Sequence, residues 1–134
     1  METLITPEKE REVFAKLKEY YEKIYGIFFF TEERVFTNQE IGEIYYTYPG
    51  PEAEATFSEY VSLIKKLIPS GYNTPAILLQ KGDSFLILDG HRRLKAAWDL
   101  GISWPCLILK QSSPKFLEIE KNVVGKIKYL WGKD

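Results

Sequence analysis

"FLILDGHRRLKAAWDLGISWPCLIL", residues Phe85 to Leu109, is the stretch on which the fold turns. Its first four residues are apolar, and they run into an acid, a glycine, the only histidine of the sequence and two adjacent arginines. Leu94, Ala97 and Leu100 then recur at helical spacing, and Gly101 supplies a stop. "WPCLILK" follows, with the near-continuous apolarity of a buried strand. The pattern predicts a strand, a helix and a strand, with a charged turn at the first junction.

Working outward, "AILLQ" and "SFLILD" flank "KGD", which predicts two adjacent strands joined by a compact hairpin-like connection. Phe57, Tyr60, Val61, Ile64, Leu67 and Ile68 share one face of a helix that "PSGYNTP" ends. Upstream of it, "YPGPEAEA" breaks the pattern with two prolines around a glycine. From Thr6 to Tyr25 an amphipathic helix is expected, with Val13, Phe14, Leu17, Tyr20, Tyr21 and Ile24 apolar, Thr6-Pro7 as start and Gly26 as stop. "GIFFFTEERVF" and "EIGEIYYTY" read as short strands with "TNQ" as the turn between them. After "QSSP", Phe116, Ile119, Val123, Ile127 and Leu130 keep helical spacing, so a last helix packing across the sheet is expected, interrupted only by Gly125.

Composition sets the class. A chain of 134 residues, 45% hydrophobic and 15% aromatic, matches one globular domain over 1–134. The expected fold is α/β (α+β), a small mixed sheet flanked by helices. A net charge of −1 and a pI near 5.9 provide no global basic field, so attraction to nucleic acid requires a local patch. The lone Cys106 forms no internal disulfide and is expected to be a buried apolar residue. With no targeting signal and no apolar run of bilayer length, a cytoplasmic protein that makes no membrane contact is expected. The abundance of Lys, Glu, Ile and Tyr suits an archaeal or thermophile-like chain.

The Asp89-Gly90-His91-Arg92-Arg93 turn carries the chemistry. The first backbone N–H groups of a helix lack intrahelical partners and, with the helix dipole, attract anions. Gly90 removes a side chain where a ligand would approach, and Arg92 and Arg93 add forked donors that match phosphate oxygens. Adjacent helical residues point about 100° apart, so one arginine can face a ligand while the other makes a surface ion pair. Asp89 has two readings: a cap for the new helix, or a group that holds a divalent ion or accepts a hydroxyl proton. His91 is expected to protonate reluctantly in a helix's first turn, leaving a neutral imidazole beside a substrate or simply a locally bonded ring. Tyr45, Tyr46 and Tyr48 either line a pocket and stack a base or are ordinary strand tyrosines. Lys115, Lys121, Lys126, Lys128 and Lys133, mixed with Glu118 and Glu120, read as a solvated helix face.

With "PSGYNTPAILLQKGDS" before it, the Phe85–Leu109 stretch resembles the ParB/sulfiredoxin-like superfamily, in which a strand runs into a G-x-x-R motif, a helix, an L-G turn and an apolar strand after a proline. The resemblance covers about residues 57 to 109. Sulfiredoxin-like enzymes carry a catalytic cysteine where this chain has His91, so sulfinic acid reduction is not implied. ParB partition proteins have G-E-R-R where Gly90, His91, Arg92 and Arg93 stand, and it engages nucleotide phosphates; the segment from Lys110 to Asp134 does not hold their downstream DNA-binding domain. The nearest likeness is the archaeal free-serine kinase group, whose D-G-H-H-R turn matches Asp89, Gly90, His91 and Arg93, with Arg92 in place of the second histidine. In that group a loop glutamate acts with the motif aspartate in phosphoryl transfer, which the resemblance carries to Glu52 or Glu54; otherwise these are acids in the solvated first turn of a helix.

The resulting expectation is a nucleotide-phosphate-binding protein of the nucleotide-dependent kinase or NTPase class. Gly90, His91, Arg92 and Arg93 are expected to cradle the phosphates of ADP, ATP or CTP, and Asp89 to hold Mg²⁺ or a hydroxyl. Asp89, His91 and Glu52 or Glu54 are the candidate catalytic groups, acting on a small hydroxyl-bearing acceptor. The alternatives are a DNA-binding or nuclease-like ParB-type module, with the same arginines on backbone phosphates, and a non-catalytic scaffold.

Overall fold

Leu78, Leu79 and Ile87 are fully shielded from solvent, and their strands form the hairpin at the centre of the sheet. The computed structural model describes residues 4–47 and 55–132. Strand β3 (Ala76–Lys81) pairs antiparallel with β4 (Ser84–Asp89), as the two apolar runs around "KGD" predict. Side chains alternate across a strand, so Leu78 enters the core on one face and Leu79 the core on the other.

The remaining strands complete a six-stranded mixed sheet, in the order β1, β5, β3, β4, β2, β6. Strand β5 (Trp104–Gln111) lies parallel to β3, and β2 (Tyr45–Thr47) parallel to β4. Both edges are antiparallel: β1 (Phe29–Phe36) on β5, and β6 (Val123–Lys126) on β2. Strand β3 therefore separates β4 from β5, and helix α4 (His91–Leu100) crosses over it.

Helix α1 (Pro7–Tyr25) starts at Thr6, whose hydroxyl accepts from the Lys9 N–H, and ends at Gly26 in the left-handed region, as expected. Its Phe14, Leu17 and Tyr21 cover one face of the sheet over Phe29, Leu79, Leu86 and Leu109. On the other face Leu94, Ala97 and Trp98 of α4 pack on Phe36, Leu78, Ile87 and Ile108. Helix α3 (Phe57–Leu67) lies outside α4, where Phe57, Val61 and Ile64 meet Ala96. The fold is thus α+β, with helices on both faces. No helix of the described residues is long and apolar enough to cross a membrane.

Two expectations need correction. The front of "EIGEIYYTY" is not strand: helix α2 (Asn38–Gly42) precedes β2. "TNQ" is its start, a capping box in which the Thr37 side chain accepts from the Glu40 N–H and Glu40 accepts from the Thr37 N–H. The expected last helix is instead a 3-10 turn at Glu118–Asn122, strand β6 and the short helix α5 (Ile127–Leu130). Leu117 belongs to the core under α1, whereas Ile127 belongs to the core under α4. One straight helix cannot bury residues on opposite faces of a sheet; β6 passes between them along the edge.

Candidate functional site

Strand β4 delivers Asp89 to the edge of the core, and the chain turns there through Gly90 at φ +100°. Only glycine adopts this conformation without strain. A Cβ at Gly90 would sit 2.9 Å from Ala76 Cβ and 3.2 Å from Arg93 Nη2. Close packing of the turn on β3 therefore also demands glycine, a structural reason separate from ligand approach. Gly90 is the N-cap of α4, and among the described residues no side chain caps that helix start. Asp89 consequently does not take the capping role open to it in the sequence.

Arg93 is not the exposed arginine the motif implies. One turn into α4, its side chain is only 6% exposed, because it folds back beneath the turn toward the start of β3. Nη1 donates to the Pro75 carbonyl at 2.6 Å. Nη2 donates to Glu10 Oε2 at 2.7 Å and approaches Asp89 Oδ2 at 3.4 Å. The guanidinium thus ties the first turn of α1, the entry to β3 and the end of β4 to the helix that follows.

Glu10 is the residue that the sequence reading passed over. It is completely shielded from solvent, and its Oε1 has no hydrogen-bond donor among the described residues. Burial, then a hydrogen bond with Asp89, push its carboxyl up to about 7, against the pull of Arg93. The signal was present in the periodicity: Glu10, Phe14, Leu17 and Tyr21 share one helical stripe, and the last three face the core. An acid on the buried stripe of a helix needs a partner, and Arg93 is that partner.

His91 occupies the first turn of α4, wedged against β2. Its ring meets Tyr46 edge-on, with centroids 5.0 Å apart, and it hydrogen-bonds the Thr47 backbone. Burial drives its pKa down to about 4, so the imidazole is neutral at physiological pH, the direction expected from the sequence. His91 Nε2 and the Tyr46 hydroxyl are both buried without a hydrogen-bond partner among the described residues. The Arg92 guanidinium lies 4.6 Å from the centre of the Tyr60 ring, pointing from α4 toward α3 while Arg93 points beneath the turn. The two adjacent arginines are thus divided, as helical geometry requires.

Glu52, Glu54 and Tyr48 lie outside the described residues. Tyr46 is a core residue and Tyr45 is half-buried on the α1 face, with the Lys126 ammonium over its ring. Cys106 is fully buried in β5, and burial pushes its thiol up to about 12, as an inert core residue requires.

Among the described residues, no three His, Cys, Asp or Glu side chains converge on a metal position. Asp89, with its side chain 44% exposed, is the one carboxylate of the turn that reaches solvent. A lone carboxylate fits Mg²⁺ only as an ion carried by phosphate, which supplies the other oxygen ligands together with water. Chemically, the turn joins a helix start at a glycine N-cap, a solvent-reaching carboxylate with a fixed position, and a neutral imidazole. No protein-family model, curated protein or solved structure matches the chain.

Proposed function

We propose that the β4–α4 turn binds the phosphates of a nucleotide and supports phosphoryl transfer or nucleotide hydrolysis. The observation that carries this reading is the strand-to-helix junction itself: a helix start at a glycine N-cap beside a carboxylate held in place by a buried guanidinium. The resemblance to the ParB/sulfiredoxin-like superfamily, and to the free-serine kinase turn in particular, supports it.

Roles divide by burial. Backbone N–H groups of Gly90 to Arg92 and the Arg92 guanidinium hold phosphate oxygens. Arg93 positions Asp89, since its own donors are engaged by Pro75, Glu10 and Asp89. Asp89 accepts the proton of the attacking hydroxyl or water. Glu52 or Glu54 is the second carboxylate carried over by the resemblance. His91, neutral, shapes the floor beside Tyr46. When bound with the phosphates, Mg²⁺ supplies neutralisation of the charge on the transferred group.

A thermal-shift screen tests the reading with ADP, ATP, CTP, GTP and a short DNA duplex, each with and without Mg²⁺. A Mg²⁺-dependent rise in Tm with one nucleotide, reduced in Arg92→Ala, is the expected result. A rise with the duplex alone would transfer the turn to the nucleic-acid class, and no rise with any ligand would contradict the proposal.

A further inference from the structure

The two edges of the sheet differ. Strand β6 is four residues long and its pairing with β2 shifts register between Tyr46 and Thr47, whereas β1 runs unbroken against β5 for eight residues. A short, irregular edge resists pairing with another chain; a long, regular one invites it.

Two hydrogen bonds fix which backbone groups of β1 point outward. The Phe28 carbonyl accepts from the Ser112 N–H just beyond β5, and the Phe29 N–H points the other way, to Glu22 Oε2. Bonding direction alternates along an antiparallel strand, so Phe30, Glu32, Arg34 and Phe36 turn their backbone groups to β5, while Thr31, Glu33 and Val35 turn theirs outward. Among the described residues, nothing bonds to those outward groups.

The side chains form a pattern centred on Glu33. Arg11 of the same chain neutralises Glu33 with a two-pronged bond, at 2.6 and 3.0 Å. On one side of it, Glu32 is exposed and has no cation partner among the described residues; on the other, Arg34 meets Glu40 at 3.6 Å, too long for a hydrogen bond. Further out, Phe30 and Val35 are exposed apolar side chains.

We propose that β1 is a self-association edge, onto which a second copy of this chain adds its own β1 antiparallel, with the two-fold axis at Glu33. Thr31 then pairs with Val35 of the second copy, and Glu33 with its equivalent, and each pair exchanges N–H and carbonyl bonds. In the intervening pairs, where side chains approach most closely, Glu32 lies opposite Arg34 of the second copy, and symmetry repeats the contact. Phe30 comes to lie opposite Phe36 and Val35 opposite Thr31, so both exposed apolar side chains gain cross-strand cover. Charge disfavours the neighbouring registers: an axis at Glu32 opposes two Glu32 carboxylates, and one at Arg34 opposes two guanidiniums. An axis between residues would set outward backbone groups against positions whose own groups are spent on β5.

Sedimentation equilibrium of the full chain over a wide range of concentration tests the proposal. The expected result is a rise from the 15.6 kDa of one chain toward twice that mass. Glu32→Arg and Arg34→Glu each set like charges opposite one another and should abolish the dimer. An equimolar mixture of the two variants restores opposite charges at both positions and should recover it. Val35→Pro, which removes an N–H that β5 does not use, should also give a monomer and keeps the test decisive if Arg34→Glu does not fold. A chain monomeric at every concentration, a dimer that persists in Glu32→Arg and Val35→Pro, or two folded charge variants whose mixture stays monomeric would overturn the proposal.

Discussion

Arg93 Nη2 lies 2.7 Å from Glu10 Oε2, a fully buried bond across 83 positions of sequence that fastens α1 to the turn between β4 and α4. The N-terminal helix is therefore part of the site's scaffold, and the residue expected to meet phosphate is the one that holds the scaffold together.

Arg93→Ala should destabilise the fold by about 3–5 kcal/mol, since it leaves a buried carboxylate and the Pro75 carbonyl without their donor. Arg92 is only partly buried, so Arg92→Ala should cost less than Arg93→Ala. Urea denaturation of the two variants measures the contrast. Equal losses would mean that Arg93 is not the buried tie described here.

Glu10 and His91 should tilt stability against pH in opposite directions. The folded chain binds a proton at Glu10 more tightly than the unfolded one, so stability falls as pH rises from about 4.5 to about 7. His91 is held neutral in the fold, so the unfolded chain binds its proton first and stability rises as pH climbs from about 4 to about 6.5. Each slope approaches roughly 1.4 kcal/mol per pH unit, and over their shared window they offset one another. Urea midpoints of the parent chain should be nearly level there. Glu10→Gln should expose the rising slope and His91→Gln the falling one; matching profiles in both variants would refute this assignment.

Gly90→Ala combines a positive φ with a Cβ placed 2.9 Å from Ala76, and should cost roughly 2 kcal/mol or more. Adding Ala76→Gly should return only part of that loss, because the backbone strain remains. Full recovery in the double variant, measured by thermal denaturation, would show that φ plays no part.

What was legible in the sequence follows from how local each signal is. Thr6-Pro7 and Gly26 bound α1 because caps act within a few residues, and the "KGD" hairpin and the β4–α4 junction were readable for the same reason. Thr37 and Glu40 carried an equally local capping box, obscured by the aromatic residues on either side. The segment after Pro114 misled because Leu117 and Ile127 are buried on different faces of the sheet, a fact set by tertiary structure. The burial of Arg93 was hidden likewise, since its partner lies in another helix; only Glu10's place on an apolar stripe hinted at it.

Removing the capping box gives an independent check on α2. Thr37→Ala should lose about 1 kcal/mol, and Thr37→Ser should keep most of it, because the serine hydroxyl can accept from the Glu40 N–H. Equal loss in both, by urea denaturation, would point to packing of the threonine methyl group instead.

The most direct test of the central claim is a map of backbone amide shifts in nitrogen-labelled protein as nucleotide and Mg²⁺ are added. The account predicts that Gly90, His91, Arg92 and Arg93 move most, and that Arg92→Ala weakens the response at those positions. Unmoved amides there across the nucleotides tested, or shifts confined to the distant cavity lined by Arg34, Glu40, Asp83 and Phe85, would contradict it.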